Sequence, residues 1–168
     1  MKAAVKAVGK TVVITGGTRG IGLGLAYEFL RLGHRVAVCG RSREVVAEVA
    51  ATLAGQYGAE SVLARVCDVR DFGQVQALWD ATAARFGRID IWLNNAGLNA
   101  PGVGVWETDE ATLRAVVEVN VLGMMYGSKV ALAGCWLKAR GSSTTWRGSA
   151  RRGWCGRARR STARARPP

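Results

Sequence analysis

Residues 11–22 read TVVITGGTRGIG, and this stretch decides the fold. Its opening run, TVVIT, is continuous, β-branched and bounded by glycines, which is typical of a strand buried on both faces of a parallel sheet. After the glycines, Ile21, Leu25 and Phe29 recur at four-residue steps until Gly33, as expected for a helix that ends before a glycine. The order of strand, glycine turn and helix predicts the first half of a βαβ unit.

The same alternation continues along the chain. After the first helix, strands and helices are predicted in turn at residues 35–40, 43–57, 61–66, 71–87 and 89–93. A glycine-rich loop at 97–104 precedes a longer helical stretch, which begins near Thr108 and runs past Asn120 into the 130s. Strands separated by helices predict an α/β fold, a Rossmann-like doubly wound parallel sheet that is incomplete at the C-terminus.

The glycine turn is the first motif that indicates chemistry. Gly16, Gly20 and Gly22 lie between the predicted strand and helix in a G-x-x-x-G-x-G spacing. Glycine permits the tight turn, lets the backbone approach a pyrophosphate, and leaves that anion at a helix N-terminus with unpaired N–H groups. A glycine turn without a ligand is the alternative. The strand-to-helix context favours a dinucleotide.

The end of the second strand bears on which dinucleotide binds. An acidic residue there would accept hydrogen bonds from a ribose 2′-hydroxyl, but this chain has Gly40, Arg41 and Ser42. Together with Arg19 in the glycine loop, Arg41 can meet a 2′-phosphate, which favours NADP over NAD. The alternative is that both arginines are solvated surface charges.

Length and composition bound the remaining possibilities. A chain of 168 residues with 49% hydrophobic and 21% charged residues is in the range of one globular domain. The sequence contains no apolar run long enough to predict a transmembrane segment. The first ten residues, MKAAVKAVGK, lack the apolar centre of a secretory signal. The cysteines have neither metal-ligand spacing nor the density of a disulfide scaffold, which favours reduced thiols and a cytoplasmic location; they are Cys39, Cys67, Cys135 and Cys155.

The net charge of +12 is concentrated in one segment. From residue 134 to 168 there are ten Lys or Arg and no Asp or Glu, so the preceding residues are nearly neutral. This segment has no pattern that would bury a helix or strand face. We therefore predict an NAD(P)-binding domain over 1–133 and a basic tail, disordered or out of frame, over 134–168.

Several motifs in order give a resemblance to a known family. TGGTRGIG (15–22), CDV (67–69), NNAG (94–97) and the asparagine of EVNVLG together resemble the short-chain dehydrogenase/reductase family over residues 10 to about 133. The resemblance implies an NAD(P)-dependent oxidoreductase that acts on a small-molecule carbonyl or alcohol. It also implies a homo-oligomer in intact members, which is doubtful for a chain with an incomplete fold.

The resemblance also implies roles for individual residues. Asp68 and Val69 would lie near the adenine, Asn94 to Gly97 would brace the sheet and line the cofactor, and Asn120 would help to hold the catalytic lysine and a proton-relay water. With the glycine loop and the arginines, the candidate cofactor-binding residues are Thr15, Gly16, Thr18, Arg19, Gly20, Ile21, Gly22, Arg41, Ser42, Asp68, Val69, Asn94, Asn95, Ala96 and Gly97. Asn120 is the candidate catalytic residue, and no metal is expected.

One segment narrows the resemblance further. IDIWLNNAGLNA (89–100) is similar to the chlorophyll b reductases, because the tryptophan of DIW is less usual elsewhere in the family. This similarity favours a chlorophyll-like formyl group as substrate and a plastid location.

The catalytic part of the family pattern is missing from this sequence. Family members have a serine after the fifth strand and then Tyr-x-x-x-Lys, in which the lysine and the cationic nicotinamide lower the pKa of the tyrosine. The nearby YGSK (126–129) has two intervening residues instead of three and follows Asn120 too closely, so it is rejected. We therefore expect activity to be impaired.

The tail can be read in another frame. If each codon is taken to start at the third base of the codon for a printed residue, the genetic code permits a β-strand followed by a turn in the segment around Trp146. The Ala150/Arg151 junction can then encode serine, and STARAR (161–166) can encode Tyr-Gly-Thr-Ser-Lys. The hypothesis is a frameshift between about Val130 and Trp136, and sequencing of the transcript tests it.

Two further functions stay open. The chain could be a non-catalytic dinucleotide-binding fragment. It could also use its basic tail, with interleaved tryptophans, as an arm for nucleic acid or anionic lipid. We do not expect specific nucleic-acid binding, because attraction to polyanions follows from the charge alone.

Overall fold

The computed structural model describes residues 9–100 and 102–141, with side chains to residue 134. A parallel sheet with helices on both faces forms the fold. Its strands and helices are β1 (Thr11–Ile14), α1 (Gly20–Arg31), β2 (Arg35–Gly40), α2 (Arg43–Tyr57), β3 (Val62–Val66), α3 (Phe72–Phe86), β4 (Ile91–Leu93), α4 (Glu110–Val117) and α5 (Gly123–Gly141). Short 3₁₀ turns cover Ala59–Ser61 and Val105–Glu107.

The strand order is β3-β2-β1-β4, and all neighbouring strands are parallel. Val13 of β1 is in register with Ala37 of β2 on one side and with Trp92 of β4 on the other. The chain therefore runs outward to β3 and crosses back over β1 to β4. The prediction of a Rossmann-like parallel sheet is confirmed.

The alternating side chains of the strands divide the core into two halves. Val12, Ile14 and Val36 pack against α1 and α2, where Leu30 and Leu53 are buried. Val13, Ala37 and Cys39 point to the opposite face, against α3, α5 and the turn before α5. Both faces are covered by helices, so these strands read as unbroken apolar runs.

Local capping sets where three of the helices begin. The side chains of Ser42, Asp71 and Asp109 accept hydrogen bonds from the backbone N–H groups of Val45, Gln74 and Thr112. Such side-chain oxygens satisfy amides that otherwise have no partner in the first turn. Helix α1 differs, because Arg19 precedes it and makes no capping hydrogen bond through its side chain.

The predicted long helix is interrupted in the structure. Residues Glu118–Leu122 form a π-turn between α4 and α5. π-turns insert an extra residue into a helix and shift the faces on either side, which apolar periodicity alone does not indicate. Asn120 lies at the centre of this turn.

Glu110–Gly134 is long and apolar enough to cross a membrane by length and composition, with a mean hydropathy of 1.2 and 22% of it buried. Val119 and Val130 of this segment pack against the sheet, so the criterion is weak evidence here. Helix α5 continues to Gly141, beyond the domain end predicted at residue 133. The basic tail and the out-of-frame hypothesis for it fall mainly on residues 142–168, outside the described residues.

Candidate functional site

A cavity of about 1030 Å³ opens at the carboxyl ends of the strands. This is the edge where open α/β sheets bind ligands, because loops from neighbouring strands diverge there. The lining residues come from the glycine loop, the ends of β2 and β3, the loop after β4 and the π-turn: Gly16, Thr18, Arg19, Gly20, Ile21, Gly22, Gly40, Arg41, Ser42, Val45, Cys67, Asp68, Val69, Asn95, Ala96, Gly97, Leu98, Asn99 and Val119.

The three glycines of the G-x-x-x-G-x-G spacing differ in what requires a glycine at each position. Gly16 has a φ of 65°, and a Cβ on it would lie 2.7 Å from the Cα of Ala96. A Cβ on Gly22 would overlap the Asn95 side chain and the Gly16 carbonyl. Gly20 has a φ of 53° and open space beside it. Gly16 and Gly22 therefore permit close packing within the protein, whereas Gly20 presents backbone to the cavity.

The N-terminus of α1 points its amides into this cavity. Its first turn begins at Gly20 and contains no acidic side chain. Unpaired N–H groups and the positive end of the helix dipole favour an anion at this position. Ile21 is 77% exposed here, which leaves an apolar side chain uncovered beside the anion position. These features fit the pyrophosphate and the apolar parts of a dinucleotide.

A hydrogen-bonded clasp joins the glycine loop to the loop after β4. The Thr15 hydroxyl accepts from the amides of Asn95 (3.0 Å) and Ala96 (3.1 Å), and donates to the Leu93 carbonyl (3.3 Å). The side-chain amide of Asn95 donates through Nδ2 to the backbone carbonyls of Thr15 (3.0 Å) and Gly16 (3.2 Å). Thr15 thus lies behind the cavity wall and fixes the separation of its two sides.

Two arginines at the cavity rim have side chains that are not held by hydrogen bonds or ion pairs within the described part of the chain. The side chains of Arg19 and Arg41 are exposed, line the cavity, and make no hydrogen bond or ion pair with any other residue that the structure describes. The Ser42 hydroxyl, by contrast, donates to Glu44 (2.8 Å) and accepts from the Val45 amide (3.3 Å). Ser42 lines the cavity, but its side chain is already committed to the start of α2.

Asp68 is held by its near neighbour Arg70. The Arg70 Nη2 donates to Asp68 Oδ2 at 2.6 Å, and the Arg70 amide donates to Oδ1 at 3.0 Å. These hydrogen bonds, chiefly that of the guanidinium, lower the pKa of the Asp68 carboxyl, and the positive charges of Arg70 and Arg41 lower it further. Val69, next in the chain, is buried against Gly123.

Two buried thiols are in contact at the ends of β2 and β3, and one of them, Cys67, lines the cavity. Cys39 at the end of β2 and Cys67 just after β3 are buried free cysteines, and the Cys67 amide donates to the Gly40 carbonyl at 2.9 Å. Contact with Cys39 and burial raise the pKa of the Cys67 thiol, so it stays protonated. No disulfide joins these two cysteines, and Cys135 and Cys155 lie outside the described side chains.

Two predicted asparagines lie outside the cavity lining. Asn94 accepts from the Trp92 indole N–H at 2.9 Å and donates to the Ser128 hydroxyl at 3.0 Å, which ties β4 to α5. Asn120 binds the backbone of Leu98, donating to its carbonyl (2.9 Å) and accepting from its amide (2.8 Å). Asn120 therefore positions the lining residue Leu98, whereas Asn94 holds two residues that do not line the cavity.

The rejected YGSK pair is engaged elsewhere. The Tyr126 ring packs edge-on to Phe72 with centroids 5.6 Å apart, and the Lys129 ammonium lies 4.7 Å from the centre of the same ring. Neither side chain lines the cavity. Both contacts are with Phe72, the first residue of α3.

Sequence reasoning missed several lining residues: Val45, Cys67, Leu98, Asn99 and Val119. Cys67 belongs to the quoted motif CDV, and Leu98 and Asn99 belong to the quoted segment 89–100, so the sequence signal was present but these three residues were given no role in the cavity. Val45 and Val119 carry no chemical signal. They reach the cavity because α2 and the π-turn pack there. Among the described residues, no group of three or more His, Cys, Asp or Glu could hold a metal ion.

Comparison with known proteins agrees with this geometry. The short chain dehydrogenase family model matches residues 10–143. The chain is 44% identical over 115 residues to the chloroplastic chlorophyll(ide) b reductase NOL of Oryza sativa subsp. japonica, covering 68% of this chain and 34% of that protein. It is 40% identical over 124 residues to the short chain dehydrogenase/reductase dpmpG of Macrophomina phaseolina, covering 74% of this chain and 70% of that protein.

Solved structures give the same result. A short chain dehydrogenase/reductase from Burkholderia phymatum in complex with NAD matches with a TM-score of 0.69 and 33% identity over 74% of this chain and 43% of that one. An actinorhodin polyketide ketoreductase with NADPH matches with a TM-score of 0.70 and 32% identity over 79% of this chain and 50% of that one. The chain thus spans about a third of the rice reductase and half or less of these structures.

Proposed function

The chain belongs to the short-chain dehydrogenase/reductase family, a family of oxidoreductases, and we propose that its cavity binds NADP(H) for reaction with a carbonyl or alcohol. The observation that carries this proposal is a pair of exposed arginines, Arg19 and Arg41, whose side chains make no hydrogen bond or ion pair among the described residues and which line a cavity beside the N-terminus of α1. A bound nicotinamide supplies the hydride donor or acceptor. The residues of this chain supply the seat for its phosphates and adenosine.

The preference for NADP rests on charge at the end of β2. A 2′-phosphate carries close to two negative charges, and guanidinium groups bind such oxyanions with paired N–H donors. Gly40 and Arg41 follow β2, where an acidic side chain would select a free ribose. One similar structure holds NAD and another NADPH, so the family likeness alone leaves the cofactor open.

Titration of the 168-residue chain with NADPH and NADH, followed by nicotinamide fluorescence, tests the cofactor proposal. We expect tighter binding of NADPH, and a loss of about tenfold in NADPH affinity for Arg41→Gln, with a smaller effect on NADH. Arg43→Gln is the matched control, because Arg43 is a neighbouring exposed arginine that does not line the cavity. Equal affinities for the two cofactors would contradict the NADP assignment.

For the substrate we propose a carbonyl or alcohol, with a chlorophyll(ide) b-like formyl group as the specific candidate. Support comes from the similarity to the rice chlorophyll(ide) b reductase. A plastid location would accompany that substrate, and a cytoplasmic location would accompany a general reductase. Turnover of chlorophyllide b by a protein that carries this domain, measured by loss of its absorption band, tests the assignment. Reduction of simple aldehydes alone would favour the general reductase.

We also propose that the 168-residue polypeptide by itself binds cofactor with little turnover. No tyrosine or lysine lines the cavity among the described residues, and Tyr126 and Lys129 are engaged with Phe72. A proton donor near the substrate is what the family pattern would supply. Rapid NADPH oxidation with a carbonyl substrate by this polypeptide would contradict the proposal. Binding without turnover would support it.

A further inference from the structure

Asp68 lies between two arginines that have different surroundings. Arg70 is bound to it directly, whereas Arg41 makes no hydrogen bond with any residue in the described part of the chain. Asp68 and Arg41 line the same cavity, at the ends of the neighbouring strands β3 and β2. The charge of Arg41 lowers the pKa of the Asp68 carboxyl, so Asp68 is an acidic competitor for that charge.

Arg70 occupies most of the acceptor capacity of this carboxylate. Its Nε lies 3.1 Å from both Asp68 oxygens, its Nη2 lies 2.6 Å from Oδ2, and its amide donates to Oδ1 at 3.0 Å. A carboxylate that accepts these bonds has little acceptor capacity left for hydrogen bonds from a second guanidinium, and Arg41 acts on it through charge alone.

A second acidic residue fixes Arg70 from the other side. The Arg70 Nη1 lies 3.7 Å from Glu118 Oε2, at the start of the π-turn. The guanidinium is thus shared between Asp68 and Glu118, with 39% of its side chain exposed. This bridge keeps Arg70 near Asp68 and away from the rim where Arg41 stands.

We propose that Arg70 determines cofactor specificity through Asp68: by occupying that carboxylate, it leaves the Arg41 guanidinium available for the 2′-phosphate of NADP(H). The inference rests on the proposed binding of NADP(H) in this cavity. Without Arg70, Asp68 would pair with Arg41 and would also repel the phosphate. Arg70 is then a positioning residue, which touches neither the phosphate nor the nicotinamide.

The inference predicts a selective effect. In Arg70→Gln, the affinity for NADPH falls about fivefold, the effect of one contact between charges at the protein surface, while the affinity for NADH stays within about twofold. Arg70→Lys keeps the positive charge and retains most of the preference. If Arg70 had a purely structural role, its loss would weaken the binding of NADPH and NADH equally. The ratio of the two dissociation constants is therefore the informative quantity.

A double-mutant cycle tests whether Arg70 acts through Asp68. In an Asp68→Asn background there is no carboxylate to neutralise, so adding Arg70→Gln leaves the ratio unchanged. Arg114→Gln is the matched control, because it removes an arginine paired at 2.9 Å with Glu110, one that does not line the cofactor cavity. Circular dichroism confirms that each variant is folded.

The outcomes separate this inference from the function on which it rests. The inference is supported if Arg70→Gln lowers the preference for NADPH, Arg114→Gln does not, and Arg70→Gln has no effect on the preference in the Asp68→Asn background. An unchanged ratio in Arg70→Gln, or a reduced ratio that persists with Asp68→Asn, overturns it while NADP(H) binding stands. If the unsubstituted chain does not prefer NADPH, the cofactor proposal fails and this inference fails with it.

Discussion

Asn120 binds both backbone polar groups of Leu98, donating through Nδ2 to its carbonyl at 2.9 Å and accepting at Oδ1 from its amide at 2.8 Å. The side chain therefore takes the place of a neighbouring strand for one residue of the cavity wall. The π-turn aims Asn120 at this position, since a regular helix would rotate residues beyond Glu118 by a different amount.

Loss of this pair of hydrogen bonds should destabilise the protein. For Asn120→Ala we expect a decrease of about 1–2 kcal/mol in the free energy of unfolding, because the Leu98 amide and carbonyl lose their partner. Urea denaturation measures it. Gln76→Ala is the control, since Gln76 bonds only to exposed Asp80 one turn along the same helix. If both variants lost the same free energy of unfolding, the two hydrogen bonds between Asn120 and the Leu98 backbone, the Asn120 clamp, would not stabilise the protein.

Two glycine-to-alanine substitutions should have opposite effects on stability, one through backbone strain and the other through helix propensity. Gly16→Ala places a side chain at a φ of 65° and against Ala96. We therefore expect the free energy of unfolding to fall by about 1–3 kcal/mol and cofactor binding to be lost as well. Gly24→Ala, in the exposed middle of α1 with open space beside it, should instead stabilise by about 0.5–1 kcal/mol. Thermal unfolding distinguishes them. A harmless Gly16→Ala would show that the loop is formed differently.

A buried hydroxyl offers a route to higher stability. Thr11 is fully buried and its Oγ1 has no hydrogen-bond partner. Replacing it with valine removes an unsatisfied polar atom, so Thr11→Val should raise the free energy of unfolding by about 1 kcal/mol.

The control for Thr11 is Thr82, which is equally buried but donates to the Leu78 carbonyl at 2.7 Å. Thr82→Val should therefore lower stability by about 1 kcal/mol, because it removes a made hydrogen bond. Chemical denaturation of both variants gives the comparison. If both substitutions shift stability in the same direction, hydrogen bonding does not account for the difference.

Asp68 should make stability depend on acid pH. Hydrogen bonds from Arg70 and the charges of Arg70 and Arg41 hold its pKa below the unfolded value. The folded state then binds the proton less readily, so the stabilisation is present above about pH 4 and is lost as pH falls through the folded pKa. The stability difference between the unsubstituted protein and Asp68→Asn should shrink from pH 7 to pH 3.

Urea denaturation at the two pH values measures this difference. The same Asp68→Asn comparison in an Arg70→Gln background should vary less with pH, because the main hydrogen-bond donor to the carboxylate is gone. A pH dependence that is equal in both backgrounds would assign the depressed pKa to Arg41 or to the backbone instead.

The order of strands and helices could be predicted from the sequence, because the signals that set it are local. The bounds of β2 and α2 agree with the prediction, because the apolar run of β2 and the Ser42 cap act within a few residues. The position of the glycine loop between a strand and a helix likewise predicted the edge of the sheet at which the cavity opens, since every residue of that motif is consecutive.

Only the tertiary structure decided how distant segments meet at that edge. The clamp of Asn120 on Leu98 and the bridge from Arg70 to Glu118 join residues that are far apart in the chain. Which side of α5 faces β4 depends on the π-turn and on Asn94 reaching Ser128. Such contacts require the packed sheet, because a side chain's partner is set by which elements lie against each other, and residue type and spacing carry no record of that arrangement.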